Sequence, residues 1–415
     1  MAVFQAAELL IPREELLENW AVIACDQFTS QPDYWRTVRA QVKEQPSAYH
    51  IVFPEAELGG DREARITSIK ETMRSYLGGT IFRAFPDAFI YVERTLLDGS
   101  VRRGVVGVID LEQYDYNSDA QSPVRATERT VVERIPPRVR IRSGAVLETS
   151  HVLLLMDDEE GAVLDGPERH REELPTLYSF ELMQGGGHIE GRLVSGTAAE
   201  ALSAAIAHYE AQTAARFTQT GKAPLLYAVG DGNHSLATAK TCWEALKAER
   251  PELAGTHHPA RYAMVELQNI RDEAQKFEPI HRLLIDVPVD RLLEKITSIC
   301  APGGTPVDWQ AGERQGMVFL DTAGSALPVS VLQPFLDAFL KEQGGTIDYI
   351  HGEEAASQLA GQRKAISFLM PNISKDGFFR GIVMNGVLPR KTFSMGHAQE
   401  KRYYLECRII TEQTS

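Results

Sequence analysis

Through residues 145–300 of this 415-residue chain, short apolar runs alternate with long amphipathic stretches, and no other feature constrains the fold as tightly. The segment "LVSGTAAEALSAAIAHYEAQTAARF" (193–217) places apolar residues three and four apart after Ser195-Gly196-Thr197, the spacing of one helix face. "APLLYAVGD" reads as a short buried strand, and "NHSLATAKTCWEALKAER" as a helix stopped by Pro251. "ARYAMVELQNI" (260–270) reads as the next strand, and "GAVLETSHVLLLMDD" (144–158) as a strand ending in acids. Strands interleaved with helices bury a sheet beneath a helical layer, so the predicted class is α/β or α+β with a mixed sheet.

The flanks extend this pattern. Residues 33–45 and 61–77 have helical spacing, while 88–96 and 102–114 are β-rich runs joined at Asp98-Gly99, a hairpin signal. The stretch from Pro302-Gly303-Gly304 to Gly324 reads as loop-rich, the mark of a second lobe. Beyond it, strands are expected to alternate with turns at Lys375-Asp376-Gly377 and Asn385-Gly386. The expected organisation is a main domain over 1–300 with additional β-rich segments. A smaller C-terminal lobe over 301–415 would complete a cleft.

Charge and cysteine usage narrow the function. A net charge of −14 opposes unaided binding to a nucleic-acid backbone, although it leaves room for a local basic pocket. Cys25, Cys242, Cys300 and Cys407 lie far apart, which suits neither a zinc site nor a disulfide framework. The N-terminus lacks the basic region of a signal peptide, and no apolar run has the length of a membrane span. The expectation is a cytoplasmic protein with a small-molecule substrate, without nucleic-acid or membrane partners. Its oligomeric state is not legible.

The segment richest in chemistry is "AVGDGNHSLATAK" (228–240). It leaves an apolar strand and sets Asp231-Gly232-Asn233-His234-Ser235 at the mouth of a helix. A helix start carries N–H groups without intrahelical acceptors and the positive end of the macrodipole, so it receives phosphate or carboxylate. His234 can add a cationic donor, Ser235 a hydroxyl, and Asp231 a metal ligand or proton acceptor. An Asx cap on an ordinary helix would have the same pattern.

"VGDGNHSLATAK" resembles the "DGHHR…A" box of the ParB/sulfiredoxin-like superfamily, whose strand-turn-helix holds nucleotide phosphate and which includes enzymes that phosphorylate free L-serine. Over nearly its full length the chain is similar to a bacterial family of comparable size catalogued as a domain of unknown function. The supporting stretches are "ACDQFTSQPDYW", "TERTVVER" (127–134), "FELMQGGGHIEG" (180–191), "EPIHRLL" (278–284) and "LPRKTFSMGHAQEKRYYLE" (388–406). The resemblance implies a ParB/sulfiredoxin-like sheet that uses ATP and Mg2+ to phosphorylate the hydroxyl of a small metabolite, most directly free L-serine. The alternative is a non-catalytic nucleotide- or metabolite-binding protein that keeps the phosphate cradle. The departure is Asn233-His234-Ser235 where the box has His-His-Arg. Serine cannot replace a bidentate guanidinium, so Arg129, Arg282 or Lys391 would have to supply the charge, or activity is lost.

Other candidates follow from these stretches. Gly185-Gly186-Gly187 before His188 permit close backbone approach to a ligand, or form a hairpin tip; Gly186, Gly187 and His188 are taken as phosphate contacts. Glu128 is a candidate base or Mg2+ ligand beside Asp231, with Arg129 and Thr130 as phosphate contacts; a solvated charged helix face would look alike. Asp26 is a candidate base and Gln27 a substrate contact, unless Thr29-Ser30 caps a helix through Trp35. Lys391 is assigned to phosphate and His397 to substrate. Lys401 and Arg402 are expected on a solvated basic helix face, and His281-Arg282 as a structural pair.

Overall fold

The computed structural model describes residues 2–23, 28, 31–54, 61–130, 135–218, 221–322, 327–361 and 364–412. They form two compact units, the first from Met1–Ala126, Thr130–Gln275 and His397–Ser415, the second from Thr127–Arg129 and Lys276–Gly396. The architecture is mixed α/β, in agreement with the alternation of the sequence.

The first unit is built on one mixed sheet. Tyr227–Asp231 lies parallel to Val124–Ala126 and antiparallel to Leu153–Met156. Leu153–Met156 in turn runs parallel to Tyr262–Asn269, after which the order continues antiparallel through Val101–Asp110, Phe82–Thr95 and Ala7–Pro12. Side chains alternate across a strand, so Phe82–Thr95 sends Phe89 and Tyr91 to one core and Ile90 and Val92 to the other. Leu202, Ile206 and Tyr209 of the Thr197–Thr218 helix and Leu236, Ala239 and Trp243 of the Asn233–Glu249 helix cover the first face. Trp35, Val38, Ile69 and Met73 cover the second. Each fully buried side chain of this kind is worth about 1.5–3 kcal/mol, so the two cores fix strand register firmly.

The Asp98-Gly99 hairpin forms as expected. Gly99 takes φ +82°, and Asp98 Oδ1 accepts the Ser100 amide at 2.9 Å. The single strand expected over 144–158 does not form. Leu147–Thr149 pairs with Cys407–Ile409, whereas Leu153–Met156 sits between Tyr227–Asp231 and Tyr262–Asn269. The break falls at Ser150-His151, where Ser150 Oγ accepts the Val152 amide at 3.1 Å and offers the backbone an alternative to the ladder.

The second unit holds a smaller sheet in the order Arg314–Leu320, Cys300–Ala311, Ala365–Leu369, Phe277–Ile285, Thr346–His351. Leu332, Leu336 and Phe339 of the Pro328–Gln343 helix pack on Leu284, Ile366 and Phe368. The region expected to be loop is a hairpin here. Its Pro302-Gly303-Gly304 is an irregularity inside the first strand, where a Cβ on Gly304 would lie 2.4 Å from the Leu320 carbonyl oxygen. The strands expected around residue 380 are a helix, Phe378–Asn385, between Gly377 at φ +77° and Gly386 at φ +83°. Phe378, Phe379, Ile382 and Val383 form its buried stripe, a helical period that the turn residues on either side disguise. Among the described residues no helix is long and apolar enough to cross a membrane.

A buried ionic network ties the last segment of the chain into the first unit. Arg402, 4% exposed, donates from Nε to Glu266 at 2.8 Å, from Nη2 to Glu406 at 2.6 Å, and to the Ser150 carbonyl. A solvated helical position was expected for Arg402 and Lys401; instead only Ala398–Glu400 forms a single 3-10 turn and the arginine is in the core. Gly104 is required beside this network, because a Cβ there would sit 2.7 Å from Glu266 Oε1. Removing one partner of a buried ion pair leaves an uncompensated charge. Arg402→Met should therefore cost about 3–5 kcal/mol in denaturant unfolding, because Glu266 and Glu406 lose their shared cation. A loss under 1 kcal/mol would mean that the carboxylates find other partners.

Candidate functional site

The turn after Tyr227–Asp231 is set by one residue. Gly232 takes φ +84°, ψ +22°, and a Cβ there would lie 2.9–3.0 Å from Val152. Both conformation and contact exclude other residues. As N-cap of the Asn233–Glu249 helix, glycine brings no side-chain acceptor to the first turn. The Asn233 Oδ1 atom beside it is buried and has no hydrogen-bond partner among the described residues. Ser235 faces a cavity of about 160 Å³ that is also lined by His151, Thr238 and Tyr404.

Asp231 is held between an amide and a cation. Its Oδ1 accepts the Gly232 amide at 2.8 Å, and its Oδ2 lies 3.1 Å from Lys401 Nζ. The two side chains are 29% and 12% exposed, so solvent screens the pair only in part. Burial works to raise the Asp231 carboxyl, but Lys401, His151 and the Gly232 amide outweigh it and hold the group below the usual carboxylate range. Burial lowers His151, which favours its neutral form, so Lys401 is the partner that matters.

Lys401 reaches this turn because Arg94 holds its backbone. Arg94, 3% exposed, donates to the carbonyls of Glu400 at 3.1 Å and Lys401 at 2.6 Å, and to the Gln399 carbonyl. The same guanidinium donates to the Gly186 carbonyl at 2.8 and 3.0 Å and stands 5.1 Å from the Tyr403 ring. The glycine triplet and the Asp231 turn are thus joined through one arginine and one lysine. A Cβ on Gly186 would be 2.5 Å from Tyr403 Oη, and one on Gly187, at φ +77°, 2.1 Å from the Thr95 carbonyl oxygen. These two glycines have packing reasons to be glycine. His188 contacts Glu181 at 2.9 Å and Ser179 at 3.0 Å across its hairpin.

The remaining candidates are divided between the units. Glu128 and Arg129 belong to the second, Thr130 to the first. Glu128 Oε2 accepts the Lys391 amide at 3.0 Å, and Oε1 accepts the Thr392 and Phe393 amides at 2.9 and 3.3 Å. Both oxygens are therefore engaged in folding the Lys391 turn, where Lys391 itself takes φ +55°. Burial raises the Glu128 carboxyl against these three amides, which lower it. Thr130 is buried, and its Oγ1 has no partner among the described residues. His397 opens the Ala398–Glu400 turn in a reciprocal cap with Glu400. Arg282 is fully buried and bonded to Gln333 at 3.1 Å and to the Arg390 carbonyl at 3.3 Å, while His281 Nδ1 accepts the Met370 amide at 3.0 Å, the structural pair expected. Asp26 and Gln27 lie outside the described residues. Among the described residues no group of three His, Cys, Asp or Glu side chains could hold a metal ion.

Sequence reasoning missed Lys401, Arg94 and His151. Arg94 and His151 sit inside strand-like runs with no motif around them. Lys401 was visible only as one charge in a basic stretch, and its partner lies 170 residues away.

The Gly232 turn is thus a glycine-capped helix start in a mixed α/β unit, with an ion-paired aspartate at its mouth. A family model described as "Protein of unknown function (DUF1015)" matches residues 6–407, and the chain belongs to that family. No curated protein matches it. Among solved structures it is similar to a free serine kinase mutant in complex with ADP, at 10% identity and a TM-score of 0.39, covering 73% of this chain and 91% of that one. It is also similar to C-terminally truncated SbnI from Staphylococcus aureus, at 10% identity and a TM-score of 0.36, covering 70% of this chain and 82% of that one. A conserved hypothetical protein from Pyrococcus furiosus has 11% identity and a TM-score of 0.35, covering 73% and 94%.

The Asp231–Lys401 pair makes a pH prediction. A carboxyl depressed in the folded state contributes stability that is complete above its unfolded value near 4 and is lost as pH falls through the depressed value. Asp231→Asn should flatten the dependence of unfolding free energy on pH below about 4, measured by denaturant titration at successive pH values. Parallel curves for the two proteins would mean that Lys401 does not hold Asp231 in solution.

Proposed function

We propose that the chain is a small-molecule kinase that transfers the γ-phosphoryl of ATP to a hydroxyl of a small metabolite, with free L-serine as the first acceptor to test. The observation that carries this reading is the Gly232 turn: a helix start without a side-chain cap, next to an aspartate kept ionised by Lys401. The box residues Gly232, Asn233, His234 and Ser235 would receive phosphate at the helix start. Lys401 supplies the cation that Ser235 does not, as a point charge rather than a fork.

Asp231 and the unpartnered Asn233 Oδ1 are oxygen donors suited to Mg2+, which prefers few protein ligands and keeps water and phosphate oxygens in its shell. The ion would neutralise phosphate charge. This chain's own residues orient the phosphates at the helix start and keep Asp231 available for a hydroxyl proton or the ion. Phosphoryl transfer needs mainly such positioning and charge neutralisation. The superfamily-like core, the cytoplasmic setting and serine as acceptor belong to this proposal.

A second reading is favoured by Ser235 itself. Without the arginine of the resembling box, the chain would bind a nucleotide or metabolite and not turn it over. ADP formation from ATP with L-serine and a panel of hydroxy-amino acids, followed by mass spectrometry, decides between the readings. Phosphorylated product supports the kinase; tight ATP binding with no product from any acceptor supports the binding protein.

Within the kinase reading, His234→Ala should weaken ATP binding about 10- to 150-fold, the 1.5–3 kcal/mol of a hydrogen bond to a charged group. Asp231→Asn should weaken it when Mg2+ is present and much less in EDTA. Equal losses in both conditions would reduce Asp231 to a turn residue.

A further inference from the structure

The second unit contains a cavity of about 950 Å³, at the upper end of the range for small-molecule sites. Three arginines line it, Arg129, Arg380 and Arg390, against two aspartates, Asp337 and Asp376. In a chain of net charge −14, a cavity with more cations than anions concentrates anions locally. Among the described residues, no side chain pairs with the guanidinium of Arg129 or of Arg380. Arg390 donates to Tyr349 Oη at 2.9 Å and lies 3.8 Å from Asp337, an exposed pair of the kind that exchanges readily.

The wall of the cavity is not arranged for packing. Gly381 sits inside the Phe378–Asn385 helix, where glycine is unfavourable, yet a Cβ there would find no atom within 4 Å. Its absence leaves helix backbone bare on the cavity side. Met384, also lining it, is 44% exposed, an apolar surface beside the arginines.

From these features the geometry points to a ligand site in the second unit for a phosphate monoester with an apolar body. Two unpaired guanidiniums match a dianion better than a singly charged carboxylate, and the fork geometry suits phosphate oxygens. Met384 and the bare face at Gly381 would take the apolar part. The proposal rests on residues of the second unit alone and does not depend on phosphotransfer at the Gly232 turn.

Isothermal titration of the full chain with phenyl phosphate, benzoate and inorganic phosphate tests it. Phenyl phosphate should bind at least tenfold more tightly than benzoate or inorganic phosphate, and Arg129→Gln and Arg380→Gln should each weaken it about tenfold or more, one charge-assisted contact apiece. Gly381→Leu should block it by filling the cavity, with a thermal midpoint at or above that of the parent. No binding of phenyl phosphate at millimolar concentration overturns the proposal. So does equal affinity for benzoate, or unchanged affinity in both arginine variants; these two keep the test decisive if Gly381→Leu fails to fold. The readout is binding, so its failure is distinct from a failure of ATP turnover.

Discussion

The first unit depends on burying arginines in its sheet. Arg94 and Arg102 face each other across the Phe82–Thr95 and Val101–Asp110 strands, a like-charge juxtaposition that is unfavourable unless both find acceptors. Arg94 bonds the carbonyls of 399–401, and Arg102 the Glu400 carbonyl at 2.9 Å. Arg402 completes the arrangement through Glu266 and Glu406. Charges this deep do little for net stability against an apolar core, but they admit few alternative partners. Their effect is positional. A segment with little regular structure of its own is fixed closely enough to deliver Lys401 to one carboxylate.

The site follows from that fixation. Gly232 must be glycine for its φ and for Val152, and the same requirement removes the usual capping side chain. The helix start is thereby left to other partners. Asp231 would be a poor neighbour for phosphate as a bare carboxylate, because like charges repel. Pairing with Lys401 offsets part of that charge, while it also occupies the cation.

Legibility in the sequence tracked how local each cause was. The Asp98-Gly99 hairpin, the Thr197–Thr218 helix and the strand-turn-helix at Gly232 are encoded within a few residues, and the structure contains all three. The strand expected over 144–158 failed because its break at Ser150-His151 is supported by Arg402, over 250 positions away. Pro302-Gly303-Gly304 reads as loop, but the hairpin partner Arg314–Leu320 absorbs it as an irregularity. Around residue 380 the glycines read as turns between strands, and they are instead the two ends of a helix. Lys401 illustrates the limit most plainly. Nothing near it distinguishes a surface lysine from one that pairs with Asp231.

Under the proposed kinase reading, Ser235 in place of the arginine of the resembling box would have a physical consequence beyond a lost contact. A guanidinium at the Ser235 position would project from the helix and offer a planar fork to two phosphate oxygens. Lys401 comes from a separate segment, offers one ammonium, and is shared with Asp231 at 3.1 Å. A phosphate approaching the turn must therefore compete with Asp231 for the same cation, or bring a second cation that lets both anions share the space. The first case weakens binding and leaves the carboxylate free to take a proton. The second makes nucleotide affinity depend on the divalent ion. Either way the carboxylate and the proposed phosphate site would be coupled through one lysine, a coupling that an arginine on the helix itself would not impose.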